Sequence, residues 1–184
     1  ALYKDLPFKD GDSLVKFEAT ENGFKKNGKI NLHDYFEIRT QLQGISEFGA
    51  YRNINVNVSG RDGARRYNAI TAEPNLFRLT RTKPVLGREF SDAENQQGAE
   101  RVVIIGFDLW QNQFGGDEAV LDQTLRINSE SHRIIGVMPQ DYFFPNIAEL
   151  WLPLRQDASQ LARGDSGSFY GIAHLDDGVS KQDI

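Results

Sequence analysis

From Asn53 onward the chain alternates strictly, with Ile54, Val56 and Val58 set between Asn53, Asn55, Asn57 and Ser59. Successive side chains of a strand point to opposite faces, so a period of two predicts a half-buried strand here rather than a helix. Arg61-Asp62-Gly63 supplies turn chemistry. Arg65 to Ala72 is therefore predicted to return antiparallel as the second arm of a hairpin.

The remaining elements follow from local pattern. Leu14 to Ala19 reads as a strand, and a loop carrying Asn22-Gly23 and Asn27-Gly28 follows it. Asn31 is a candidate N-cap for a helix reaching about Gln43, with Leu32, Tyr35, Ile38 and Leu42 on one stripe and Gly44 as the stop. Pro74 to Leu79 reads as a short helical turn, and Ser91-Asp92-Ala93-Glu94 has the form of a capping box. Arg101 to Ile105 is a β-branched run suited to a buried strand. An amphipathic helix from about Asp108 to Phe114 follows, halted by Gly115-Gly116. A second hairpin is predicted from Thr124–Ile127 and His132–Val137 around Asn128-Ser129-Glu130-Ser131. Leu150-Trp151-Leu152 is a short strand closed by Pro153, Ser168 to Leu175 is the last strand, and Val179 begins a helix. The polar stretch from Arg155 to Gly167 reads as a loop or lobe boundary. The class is α+β, with few helices and mostly antiparallel strands.

Composition narrows the function. A length of 184 residues allows one domain or two small lobes. The charge balance, 21 basic against 26 acidic residues, gives a net of −5 and leaves no Lys/Arg cluster longer than a pair, which argues against nucleic acid. The cysteine count is 0, so disulfides, thiolate-bound metals and thiol nucleophiles are excluded. The longest apolar run, Val102-Val103-Ile104-Ile105, falls far short of the roughly 20 residues that cross a bilayer. Ala1-Leu2-Tyr3-Lys4-Asp5 lacks the basic-then-apolar order of a signal peptide, so the chain reads as soluble.

No stretch declares a reaction. His33, His132 and His174 are scattered without ligand spacing and read as surface or strand residues. Gly164-Asp165-Ser166-Gly167-Ser168 resembles a nucleophile elbow, but a polar loop precedes it and a strand follows, the reverse of what an elbow needs. Phosphate-binding loops are absent, and Gly115-Gly116 follows a helix where a phosphate cradle would precede one. Asp117-Glu118 and Asp176-Asp177 lack calcium-loop spacing, and Asn57-Val58-Ser59 is a glycosylation sequon inside a strand. No catalytic, metal-binding or cofactor-binding residue is assigned. The sharpest apolar feature is Tyr142-Phe143-Phe144-Pro145, with Trp151 nearby. Large aromatics dominate interiors, so the cluster reads first as core and second as a partner-binding patch formed by Tyr142, Phe143 and Phe144.

Taken in order, five segments carry a resemblance that spans nearly the whole chain. They are Leu6-Pro7-Phe8 with Asp12 to Val15, Asn31 to Phe36 with Ile45 to Tyr51, and Asn75 to Leu79 with Pro84-Val85-Leu86-Gly87-Arg88-Glu89-Phe90 and Asp92-Ala93-Glu94. Val102 to Ile105 with Leu109 to Asp117 forms the fourth, and Leu125 to Asn128 with Ile134 to Pro139, Phe144-Pro145 and Leu150 to Leu154 the fifth. This order resembles the MacB-like periplasmic core domain of ABC-type exporter permeases in the FtsX-like group. The resemblance implies two lobes. One is a membrane-proximal, porter-like lobe of mixed strands and helices, from residues 1–72 and 162–184, which in the family continues past Leu175-Asp176-Asp177-Gly178 beyond Ile184. The other is an inserted, mainly antiparallel β lobe from residues 73–161. It implies Gly87 and Gly136 at crowded backbone positions, with Phe90, Trp110, Phe114, Ile135 and Trp151 in the core of the second lobe. It further implies a non-catalytic domain on the periplasmic face of a bacterial inner membrane. That domain would relay motion from a cytoplasmic ATPase to an exported peptide, a lipoprotein or a periplasmic adaptor, in a permease that works as a dimer. A ligand-binding or sensory module is the alternative, and an exported hydrolase using Ser166 or Ser168 a third.

Overall fold

The computed structural model describes residues 14–20, 23–26, 30–31, 44–60, 63–145, 147–155 and 168–176. The chain divides into two compact units, one drawn from Ala1–Arg52, Asn75–Thr82 and Gln156–Ile184, the other from Asn53–Pro74 and Lys83–Arg155. The expected helix after Asn31, the loop ending at Gly167 and the helix after Val179 lie outside the described residues.

In the first unit, strands β1 (Leu14–Thr20), β2 (Gly23–Lys26), β11 (Ser168–Leu175) and the start of β4 (Ile45–Gly60) run in the order β2-β1-β11-β4. The short β3 (Ile30–Asn31) pairs with the beginning of β11, Asn31 opposite Ser168. Gly23 to Lys26 departs from the loop that the sequence suggests. It forms a strand paired with β1, with Thr20 opposite Gly23 and Phe17 opposite Lys26. The core here includes Leu14, Val15, Phe48, Tyr51, Phe169 and Ile172, with Leu76, Phe77 and Leu79 from the single-turn helix α1 (Leu76–Leu79). Asn75, just before α1, donates from Nδ2 to the Phe48 carbonyl at 2.9 Å, which ties the turn to β4. The Tyr51 and Tyr170 rings stack at 5.2 Å, and Lys16 Nζ lies 3.7 Å above the Tyr170 ring.

The second unit contains the rest of β4, β5 (Gly63–Ala72), β6 (Leu86–Gly87), β7 (Val102–Ile105), helix α2 (Phe107–Phe114), β8 (Thr124–Ile127), β9 (Glu130–Val137) and β10 (Leu150–Pro153). The alternation read at residues 53–59 is realised, with Val56 and Val58 buried and Asn53, Asn55, Asn57 and Ser59 exposed. Following the ladders gives β4-β5-β10-β7-β9-β8 and then β4 again, where Val58 faces Ile127. The ladders therefore close into a ring, which removes most of the free strand edges. Within one apolar cluster lie Val56, Val58, Val103, Ile105, Leu125, Ile127, Ile134, Val137 and Leu150.

Two of these ladders, β5 with β10 and β7 with β9, run parallel. The other ladders are antiparallel, in line with the hairpin signals, and the two parallel ones arise from crossovers, which local turn signals do not reveal. The run Val102 to Ile105 is buried at every position, as expected of a strand covered on both faces. Helix α2 lies in the crossover from β7 to β9, and Gly115 ends it at φ 64° in the left-handed region.

The second hairpin is tighter than its sequence suggests. Only Asn128 (φ 48°) and Ser129 (φ 69°) form the loop, and β9 already begins at Glu130. Two consecutive left-handed residues match the twist of the strands, at some strain for the serine. Substituting Ser129→Gly is expected to raise stability by about 0.5–1 kcal/mol, measured as a shift in urea midpoint at unchanged slope.

Candidate functional site

The aromatic segment divides sharply. Tyr142 and Phe144 are buried, whereas Phe143 is 40 % exposed. The Tyr142 ring packs 5.4 Å from that of Trp151, and the Trp151 indole N–H donates to the Phe144 carbonyl at 3.0 Å. Tyr142 and Phe144 therefore serve the interior, and Phe143 is the member of the trio that faces solvent. Ile147 and Val85 are the other large apolar side chains exposed among the described residues.

A second feature is a lattice of arginines and carboxylates. Arg88 clasps Glu94 with two bonds of 2.9 and 2.6 Å, and Glu94 also accepts from the Ser91 backbone and hydroxyl, completing the expected capping box. The Arg88 guanidinium, joined by the Ser91 donors, holds the Glu94 carboxyl at about 2 against the opposing effect of its burial. Arg133 forms a two-point pair with Glu100 and reaches Asp122 at 2.9 Å, which raises its own affinity for the proton. Arg101 holds Glu130 in the same two-point manner. Arg155 donates from its side chain to the carbonyls of Glu94 and Glu100 and from its backbone to Asn95, fastening the exit of β10 to this loop.

Because Glu94 titrates lower folded than unfolded, its contribution is complete above its ordinary range near 4.5 and is lost as pH falls toward 2. Allowing for the half-exposed arginine, the contribution is about 2 kcal/mol. Urea titrations should therefore show Glu94→Gln destabilised by about that amount at pH 6, with the gap closing toward pH 2. A gap independent of pH would contradict this role.

A third feature is an open cleft of about 560 Å3 lined by Gly63, Arg65, Arg66 and Tyr67 of β5, Asp108, Asn112 and Gln113 of α2, and Glu149. Gln113 Nε2 donates to the Tyr67 hydroxyl at 2.8 Å, and the Asn68 backbone N–H donates to a Glu149 carboxylate oxygen at 2.9 Å.

The residues considered for catalysis are dispersed. His132, half-buried in β9, faces the Glu130 carbonyl at 3.1 Å, and burial lowers its proton affinity. His174 is buried in β11 of the first unit. His33 and Ser166 lie outside the described residues, and Ser168 opens β11 by pairing with Asn31. Asp117 caps the turn at Glu118–Val120 by accepting from the Ala119 N–H. Among the described residues no group of three or more His, Asp or Glu side chains is arranged to hold a metal ion. The capping box was legible in the sequence. The arginine pairs bridging 29 and 33 positions, and the cleft, carried no local signal.

Gly87 and Gly136, expected at crowded positions, stand directly opposite each other in the β6–β9 ladder. Residues 5–184 match the profile of the MacB-like periplasmic core domain. The chain belongs to that family. A curated relative, the macrolide export ATP-binding/permease protein MacB of Bdellovibrio bacteriovorus, is 27% identical over 118 residues, covering 61% of this chain and 17% of the relative. The chain thus spans a small part of that protein's length. Among solved structures, the periplasmic region of MacB from Actinobacillus actinomycetemcomitans superposes with a TM-score of 0.67 at 15% identity, covering 93% of this chain and 78% of that one. The extracellular domain of the noncanonic ABC-type transporter YknZ from Gram-positive bacteria gives 0.66 at 12% identity, with 90% and 84% covered. A domain of a putative permease protein from Porphyromonas gingivalis gives 0.65 at 17%, with 95% and 80% covered. These likenesses establish a shared fold, the strand-rich α+β fold of MacB periplasmic domains.

Proposed function

We propose that this chain is the extracytoplasmic portion of an ABC-type permease and that it transmits motion rather than performing chemistry. The observation that carries this reading is the family match over residues 5–184. The second unit supports it physically: a ring of ladders around an apolar core, braced by two-point arginine pairs, is suited to transmit displacement as a packed unit. Strand β4 supplies residues to both units. ATP would be hydrolysed by a cytoplasmic ATPase, fused or separate, on the other side of the bacterial inner membrane.

The lobes are proposed to be the membrane-proximal one of residues 1–72 and 162–184 and the inserted one of residues 73–161. Two copies would face each other in the permease, and the partner would be a periplasmic adaptor, a lipoprotein or an exported peptide. Of Tyr142, Phe143 and Phe144, the reading assigns direct contact to Phe143, with the other two holding its loop. In membranes carrying the full-length protein, Phe143→Cys is expected to cross-link to a second protein or second copy with a short bifunctional maleimide. A cysteine at exposed Gln97 serves as control. Equal yields at both positions would remove Phe143 from the contact surface. The alternative, a ligand-binding module, draws on one observation, the polar cleft beside β5.

A further inference from the structure

One seam of the ring of ladders is short. Strand β10 pairs with β5 only from Ala69 to Ala72, and Glu149 bridges Asn68. On that side, residues 63–67 of β5 have no neighbouring strand among the described residues. Arg65, Arg66 and Tyr67 are consecutive, yet all line the same cleft. Side chains of consecutive strand residues alternate between faces, so the feature these three share is the strand's edge. Tyr67 is held by Gln113 of α2, so Arg65 shares the α2 side and Arg66 takes the other, one guanidinium flanking each side of the edge.

We propose that this seam is a receptor site for an extended, acidic peptide segment, which adds to β5 as a strand and lies between β5 and the polar face of α2. Five residues of open edge span about 16 Å, and the cleft falls within the usual range of binding clefts. Main-chain bonds to Ala64 and Arg66, whose N–H and C=O groups point to the same side as those of Asn68, would supply affinity, and the two guanidiniums, which pair with no carboxylate among the described residues, would select acidic side chains. Of the two carboxylates in the cleft, that of Glu149 is already engaged by the Asn68 N–H, and Asp108 lies in the first turn of α2, where the helix dipole favours it. The transporter reading bears on this proposal only through the origin of the peptide.

The test is fluorescence anisotropy on the 184-residue chain. The probe is a labelled, blocked hexapeptide Thr-Val-Glu-Glu-Val-Thr, whose adjacent glutamates fall on opposite faces of an added strand. Its controls are the same peptide with lysine for glutamate and a version N-methylated at alternate residues. The acidic probe is expected to bind, the lysine probe roughly tenfold more weakly, and the N-methylated probe not detectably. Arg65→Glu/Arg66→Glu alters only exposed side chains and is expected to reverse the preference between acidic and basic probes, with an unchanged near-UV spectrum. Absence of binding at about 1 mM acidic probe, or binding that survives N-methylation, would overturn the proposal. So would self-association of the chain through this edge, seen by sedimentation and abolished by the same variant. None of these results depends on nucleotide, so failure here and failure of the transporter reading are separable.

Discussion

Gly87→Val is expected to unfold the second unit at temperatures where the parent remains folded, at a cost of about 3–5 kcal/mol. Gly87 sits at φ +73°, where a β-branched residue is strained by its own backbone, and any Cβ there would be driven into the Ile135 carbonyl. A Cβ on the opposing Gly136 would come within 2.7 Å of the Arg88 carbonyl, so neither strand can yield to the other. Arg88 follows directly and anchors Glu94, hence displacing β6 also weakens the arginine lattice. Calorimetry on Gly87→Val should show a large loss. Glu89→Ala, in the same segment, is expected to stay within about 0.5 kcal/mol of the parent. A tolerated valine would refute the close β6–β9 approach.

Trp151→Ala carries the second large effect, about 3–5 kcal/mol. The indole is fully buried, and its removal leaves a cavity beside Tyr142 and deletes the hydrogen bond to the Phe144 carbonyl. Trp151→Phe keeps most of the volume but loses the donor, and should cost less than half as much in denaturant titration. Comparable losses for the two variants would mean that the hydrogen bond, not the volume, dominates. Phe143→Ala, at an exposed position of the same segment, should leave stability nearly unchanged.

That contrast marks the limit of sequence reading here. Tyr142, Phe143 and Phe144 are consecutive aromatics outside any periodic element, and nothing in their spacing distinguishes the two that turn inward. Where periodicity or turn chemistry acts locally, the sequence was informative. The alternation at residues 53–59, the buried run at Val102–Ile105, the stop at Gly115 and the capping box at Ser91 all appear as read. Ring closure depends on ladders between distant segments such as Ala69 with Leu150, and on ion pairs such as Arg133 with Glu100. Such contacts are selected by packing of the whole unit and leave no nearby trace. The cleft was invisible for the same reason: Arg65-Arg66 stood out only as a basic pair, and its open edge exists because β10 begins only opposite Ala69.

The most direct measurement of the transporter account uses the absence of cysteine in this domain, with any cysteine elsewhere in the full-length protein replaced by serine. A cysteine introduced at exposed Asp92 in the full-length protein would be labelled with a membrane-impermeant maleimide, first in intact cells with an opened outer envelope, then in membranes with nucleotide. The expected result is labelling from outside without lysis, at a rate or a partner-protected yield that changes when the ATPase is trapped with vanadate. Labelling only after lysis, or labelling indifferent to trapping, would contradict the claim that this domain lies outside the membrane and follows the ATPase cycle.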